Sequence, residues 1–257
     1  MTALYKVDST KRTFAEHWRI QWPNVGGFVI VAVSKLLGVP RPCTFGIRRP
    51  DALVLHKPSS VPQPVRESFA DAIAACEERG LIFQFYSSVD AVIGARIKAY
   101  SAAMLDQEGH VWATAITTAP LRSSSGRVGR AKFSCFSRLP DSTYVVTTDH
   151  LWRITPHPGD LVEYVVGAPP DVIVARHYRR IDEPALPVLS VGEDELADLL
   201  LSREQRYVDH QVRRGVFVPM TQEEIDRLTA RTTLVLASER RTEGPERESP
   251  DHDDRVG

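Results

Sequence analysis

The sequence predicts an α+β fold: an antiparallel β-meander of about five strands, covered by helices and followed by a helical C-terminal portion. Three observations carry this expectation. The stretch 97–149 consists of strand-like segments separated by Asp106-Gln-Glu-Gly109 and Leu139-Pro-Asp-Ser142, residues suited to turns. Within it Phe133, Cys135 and Ser137 alternate with Lys132, Ser134, Phe136 and Arg138, a period of two that gives a sheet two different faces. After it, apolar residues recur three or four positions apart, the period of a helix.

Taken in order, a first helix is expected from about 10 to 21, capped by Ser9 or Thr10, carrying Phe14, Trp18 and Trp22 and stopped by Pro23. Asn24-Val-Gly-Gly27 turns the chain into the apolar run 28–39, which is too short to span a bilayer and is read as a buried helix or strand. Prolines at 40, 42, 50, 58, 62 and 64 oppose a long helix and predict a winding connection, with Ala52–Leu55 extended. Val65, Phe69, Ile73 and Cys76 then mark one stripe of a helix ending near Arg79 and Gly80. A strand over 81–86 leads into the meander, with strands over 98–105, 111–118, 132–138 and 144–148.

Pro169-Pro170-Asp171 opens a helix to about Ile181. Ser190-Val-Gly-Glu193 has capping-box spacing and precedes a helix through Leu196, Leu199, Leu200, Tyr207 and Val212, closed by Gly215. Thr221-Gln-Glu-Glu224 repeats the box before a last helix to about 237. The charged stretch 239–257 reads as a disordered tail. The expected divisions are therefore an N-terminal region 1–62, a meander core 63–166, C-terminal helices 167–238, docked on the core, and the tail.

Composition narrows function by exclusion. A net charge of −1 supplies no global field for nucleic acid, so nucleic-acid binding is not expected. Three scattered cysteines, Cys43, Cys76 and Cys135, suggest neither a disulfide framework nor a metal knuckle, and the first residues lack a secretory signal pattern; a cytoplasmic location is the expectation.

The loop 120–132 gathers Arg122, Arg127, Arg130 and Lys132 among Gly126, Gly129 and serines, a composition able to meet a small anionic ligand, although it lacks P-loop spacing. Asp149, His150, His157 and Asp160 follow the last strand; His150 and His157 are candidate metal ligands without a diagnostic spacing, and no metal or other cofactor is expected. His177 lies one turn from Ile173 and Ile181 and is read as a packed histidine, Trp112 as core. No GxSxG or GxGxxG occurs. The expected function is a non-enzymatic binding or scaffold role toward a protein partner through the sheet surface or the C-terminal helices. The alternatives are an anion- or nucleotide-binding enzyme acting at the Arg122–Lys132 loop, and a peripheral membrane protein contacting lipid through residues 14–39.

Overall fold

A computed structural model describes residues 3–21, 24–39, 45–89, 92–93, 97–120, 128–150, 157–183 and 185–230. Its strands are β1 (Leu4–Val7), β2 (Gly46–Arg48), β3 (Val54–His56), β4 (Leu81–Ser88), β5 (Val92–Ile93), β6 (Ile97–Asp106), β7 (Trp112–Pro120), β8 (Lys132–Arg138), β9 (Tyr144–Thr148), β10 (Leu161–Tyr164) and β11 (Phe217–Pro219). Its helices are α1 (Phe14–Gln21), α2 (Val25–Leu36), α3 (Gln63–Glu77), α4 (Pro170–Asp182), α5 (Glu193–Arg213) and α6 (222–230).

The α+β class holds, but the expected five-strand antiparallel meander is the middle of a larger mixed sheet. Seven strands run in the order β10-β9-β8-β7-β6-β4-β3. All neighbours are antiparallel except β9 and β10, which pair in parallel from Leu161 opposite Val145 to Tyr164 opposite Thr148. The connection 149–160 has the dozen residues that a parallel return needs. A second sheet, β11-β1-β2-β5, was not foreseen; it pairs Tyr5 with Pro219 and so joins the two ends of the described chain. Pairing across such separations leaves no local pattern in a sequence.

Both faces of the large sheet are covered. Phe133, Cys135 and Val145 turn toward α3 and α4, where Val65, Phe69, Ala72, Cys76, Ile173 and Val174 complete one core. Trp112, Phe136, Tyr144 and Val146 turn the other way, under Leu196, Leu199 and Leu200 of α5. Trp112 stacks on Phe136 at 5.8 Å and meets Tyr144 edge-on at 5.9 Å. The alternation of β8 and the stripe of α3 therefore fall as expected.

Caps account for most of the corrected boundaries. A 3-10 turn occupies Ser9–Lys11, and the first α-helix begins only at Phe14. Its cap is Thr13, whose hydroxyl accepts the Glu16 N–H while the Glu16 carboxylate accepts the Thr13 N–H at 2.6 Å. The box expected at Ser190–Glu193 forms two residues later: Glu195 accepts the Gly192 N–H, and Ser190 donates instead to Glu108 O. The Thr221–Glu224 box is formed as read. The expected reach of the last helix to 237 and the tail 239–257 lie outside the described residues.

Candidate functional site

The largest departure from expectation is the apolar run after Asn24. Its Oδ1 accepts the Gly27 N–H at 2.8 Å and starts α2, a helix of Val, Ile and Gly that has little intrinsic helix preference and depends on packing. Trp18 of α1 meets Phe28 edge-on at 5.0 Å, and Lys35 lies over the Phe14 ring at 5.5 Å while donating to Thr10 O. These contacts pair 18 with 28 and 14 with 35, so α1 and α2 form an antiparallel hairpin.

Only Val31 of α2 is buried. Val25, Val29, Ile30, Val33 and Leu36, followed by Leu37 and Val39, are exposed, Leu36 at 76% and Leu37 at 71%. Positions 25, 29, 33 and 36 fall on one side of a helix, and Ile30 and Leu37 border it. The solvent side of α2 thus carries no polar side chain at these positions; Phe14 and Trp18 of α1, which contact Lys35 and Phe28 of α2, are also exposed. A run expected inside the protein therefore lies largely outside it: α1 and the 3-10 turn engage only one side of the helix, which leaves the other in water.

The hairpin is nevertheless fixed from below. Glu16, fully buried, receives Nη1 and Nη2 of Arg214 at 2.8 and 2.9 Å. His17, also buried, places Nε2 2.8 Å from Ser9 O, and burial lowers its pKa, with Arg12 and Lys35 acting in the same direction.

The residues singled out from the sequence are described only in part. Arg122 and Arg127 lie outside the described residues. Arg130 is exposed, and Lys132 is exposed at the start of β8 opposite Ile116. Beside them Gly129 donates to Thr118 O and accepts from the Thr117 hydroxyl, so residues 128–131 run along β7. Arg176 and Arg180 of α4 pair with Glu163 of β10.

The Asp149, His150, His157, Asp160 group divides in two. Asp149 accepts the Phe133 N–H at 2.9 Å and meets Nδ1 of His150 at 3.0 Å, and Thr148 Oγ1 lies 2.9 Å from that same nitrogen. One nitrogen serving both groups closes the end of β9 and does not direct a base at a nucleophile. His157 and Asp160 lie elsewhere, against α5, where they line a cavity of about 200 Å³ with Arg203, Glu204, Arg206 and Tyr207. Among the described residues no cluster of three or more His, Cys, Asp or Glu is placed to hold a metal.

Sequence reasoning missed Arg203, although a signal was present: it continues the stripe Leu196, Leu199 and Leu200 that α5 turns toward the sheet. His177 is a packed histidine, with Nε2 3.0 Å from Ser137 Oγ and Nδ1 3.0 Å from Thr147 Oγ1. Ser137 gives its proton to His110 O, so Nε2 must be the protonated nitrogen. Burial, reinforced by Arg180, drives the His177 pKa down to about 3. Burial likewise pushes the Cys76 thiol up to about 12 and raises Cys135, which leaves neither as a thiolate nucleophile.

No protein-family model matches the chain, and neither the curated proteins nor the solved structures contain a match to it.

Proposed function

We propose that the protein is a peripheral binding module that seats the α1–α2 hairpin on an anionic bilayer surface and keeps its α+β body in solvent. The observation that carries this reading is the exposed, wholly apolar side of α2. A patch of this kind on a protein marks an interaction surface. The sheet, one of the two surfaces first expected to bind alongside the C-terminal helices, packs core residues of both faces against helices.

Charge favours lipid as the occupant. Between residues 11 and 39 the chain holds Lys11, Arg12, Arg19 and Lys35 against a single carboxylate, Glu16, which Arg214 already neutralises. An apolar stripe with aromatic residues and flanking cations is the composition of an interfacial helix. At 12 residues α2 is about 18 Å long, shorter than the roughly 30 Å hydrocarbon core, so it would lie in the interface. No helix among the described residues is long and apolar enough to cross a membrane.

Magnitudes decide what else is needed. Burying a half-exposed Val, Ile or Leu yields on the order of 1 kcal/mol, so the apolar side offers on the order of 6 kcal/mol before the cost of immobilising the protein. Each nearby cation adds about 1 kcal/mol on an anionic leaflet. Attachment should therefore require both and weaken with salt.

Co-sedimentation of the full chain with phosphatidylcholine vesicles, with and without phosphatidylserine, tests this. The expected result is pelleting with the anionic vesicles only, reduced at high salt and abolished by Val29→Asp with Val33→Asp at unchanged circular dichroism. A protein that stays in the supernatant with both vesicle types overturns the reading. A dimer in sedimentation velocity that the same double variant dissolves would assign this side of α2 to a second copy instead.

A further inference from the structure

We infer that the contact between His157 and His210 is a proton-operated latch, which in mildly acid solution releases the segment 157–160 from α5 and leaves β10 in the sheet. The inference is independent of the hairpin. It rests on two imidazole rings set among arginines at the place where the crossover into β10 meets the helix.

Arg203, Arg206, Tyr207 and His210 follow one another at three or four positions or less and so share one side of α5. The segment 157–160 crosses that side. His157 and Asp160 line the cavity with Arg203, Glu204, Arg206 and Tyr207, and the rings of His157 and His210 stand 5.1 Å apart, tilted by 57°. The Asp160 N–H donates to His157 O at 3.1 Å, which makes the segment a single turn, and Arg206 holds the Asp160 carboxylate at 2.5 Å. Beyond the turn β10 has its own restraints: Arg180 donates to Leu161 O at 2.8 Å and pairs with Glu163. The turn can therefore lift from α5 without unzipping the strand.

Two neutral imidazoles fit this place, whereas two imidazolium ions at the same separation repel. His210 faces His157, Arg213, Arg214 and Glu16; His157 faces Asp160, Arg203, Glu204 and Arg206, and Arg12 stands beside the neighbouring Tyr207. Cations outnumber carboxylates in this set before either ring takes a proton, and each carboxylate already meets an arginine: Glu204 with Arg203, Asp160 with Arg206, Glu16 with Arg214. Both nitrogens of an imidazolium donate, and the buried Nδ1 of His157 has no acceptor among the described residues. Burial, with His157, Arg214 and Arg213 acting in the same direction, lowers the His210 pKa. A depressed histidine favours the closed turn above its ordinary value of about 6.5 and withdraws that preference as pH falls. Asp160 has the opposite sign: burial raises its carboxyl, so proton uptake there favours the closed turn, and release belongs to the histidine pair.

Hydrogen exchange of the Asp160 amide in the full chain, read by NMR and corrected for the intrinsic rate at each pH, tests the latch. Its protection should fall by about tenfold for each unit between about pH 7 and 5.5, as one linked proton requires. His210→Phe keeps a ring against His157 and takes no proton, so it should abolish this dependence while the slope of global stability set by His177 remains. Should that variant not fold, His157→Phe should do the same. Protection of Asp160 that does not change with pH in the parent, or a dependence that persists undiminished in either folded variant, would each overturn the assignment.

Discussion

Glu16 and Arg214, 198 positions apart, form a two-pronged ion pair in which Nη1 and Nη2 of the arginine reach the two carboxylate oxygens at 2.8 and 2.9 Å. This pair ties the hairpin to the end of the longest helix.

Removing the cation should be expensive, because the carboxylate that remains is fully buried. Arg214→Ala is expected to lower unfolding free energy by about 3 kcal/mol, and Glu16→Gln together with Arg214→Ala to recover part of that loss. Urea denaturation followed by circular dichroism measures both. A loss below about 1 kcal/mol in the single variant would mean that the pair has no anchoring role, since exposed ion pairs contribute up to that much.

His177 makes stability depend on pH in a defined window. Its folded pKa of about 3 lies below the ordinary histidine value, so between these limits the unfolded chain binds a proton that the folded protein refuses. The contribution is complete above pH 6.5 and is lost as pH falls toward 3, by about 1.4 kcal/mol for each unit. His177→Gln should therefore be less stable than the parent at pH 8, with a gap that narrows steadily between pH 6.5 and 4. A gap that stays constant with pH would contradict the neutral, buried imidazole.

Gly109 separates the effect of space from that of conformation. It has φ 73°, and an added Cβ would sit 2.3 Å from Val191 O, because the β6–β7 turn docks there and its carbonyl accepts the Val191 N–H at 2.9 Å. Gly80 has φ 83° but nothing within 4 Å. Gly80→Ala should therefore cost only the backbone penalty of about 1 kcal/mol, and Gly109→Ala about 3 kcal/mol. Equal losses in thermal or urea unfolding would show that the turn yields without resistance.

Local pattern was legible and long-range partnership was not. The stripe Val65, Phe69, Cys76 and the alternation of Phe133 with Ser134 follow from geometry that acts within a few residues, and both lie where expected. The four-residue β10 carries too little pattern to reveal a parallel partner, and β1 gives no hint of β11. The apolar run 28–39 was misjudged because hydrophobic residues usually face a core, and only the fold shows that α1 covers one side alone. Arg203 stood in plain view on an apolar stripe; reading α5 as an amphipathic helix hid it.

The pairing of β1 with β11 and of Glu16 with Arg214 sets a schedule for synthesis on the ribosome. The apolar hairpin emerges well before residues 214–219, and neither of these contacts can form until those residues have left the exit tunnel. At about 5–20 residues per second, that delay is roughly 10–40 s. Throughout it a nascent chain presents Trp18, Val29 and Leu36 without the Glu16–Arg214 anchor that later orients them.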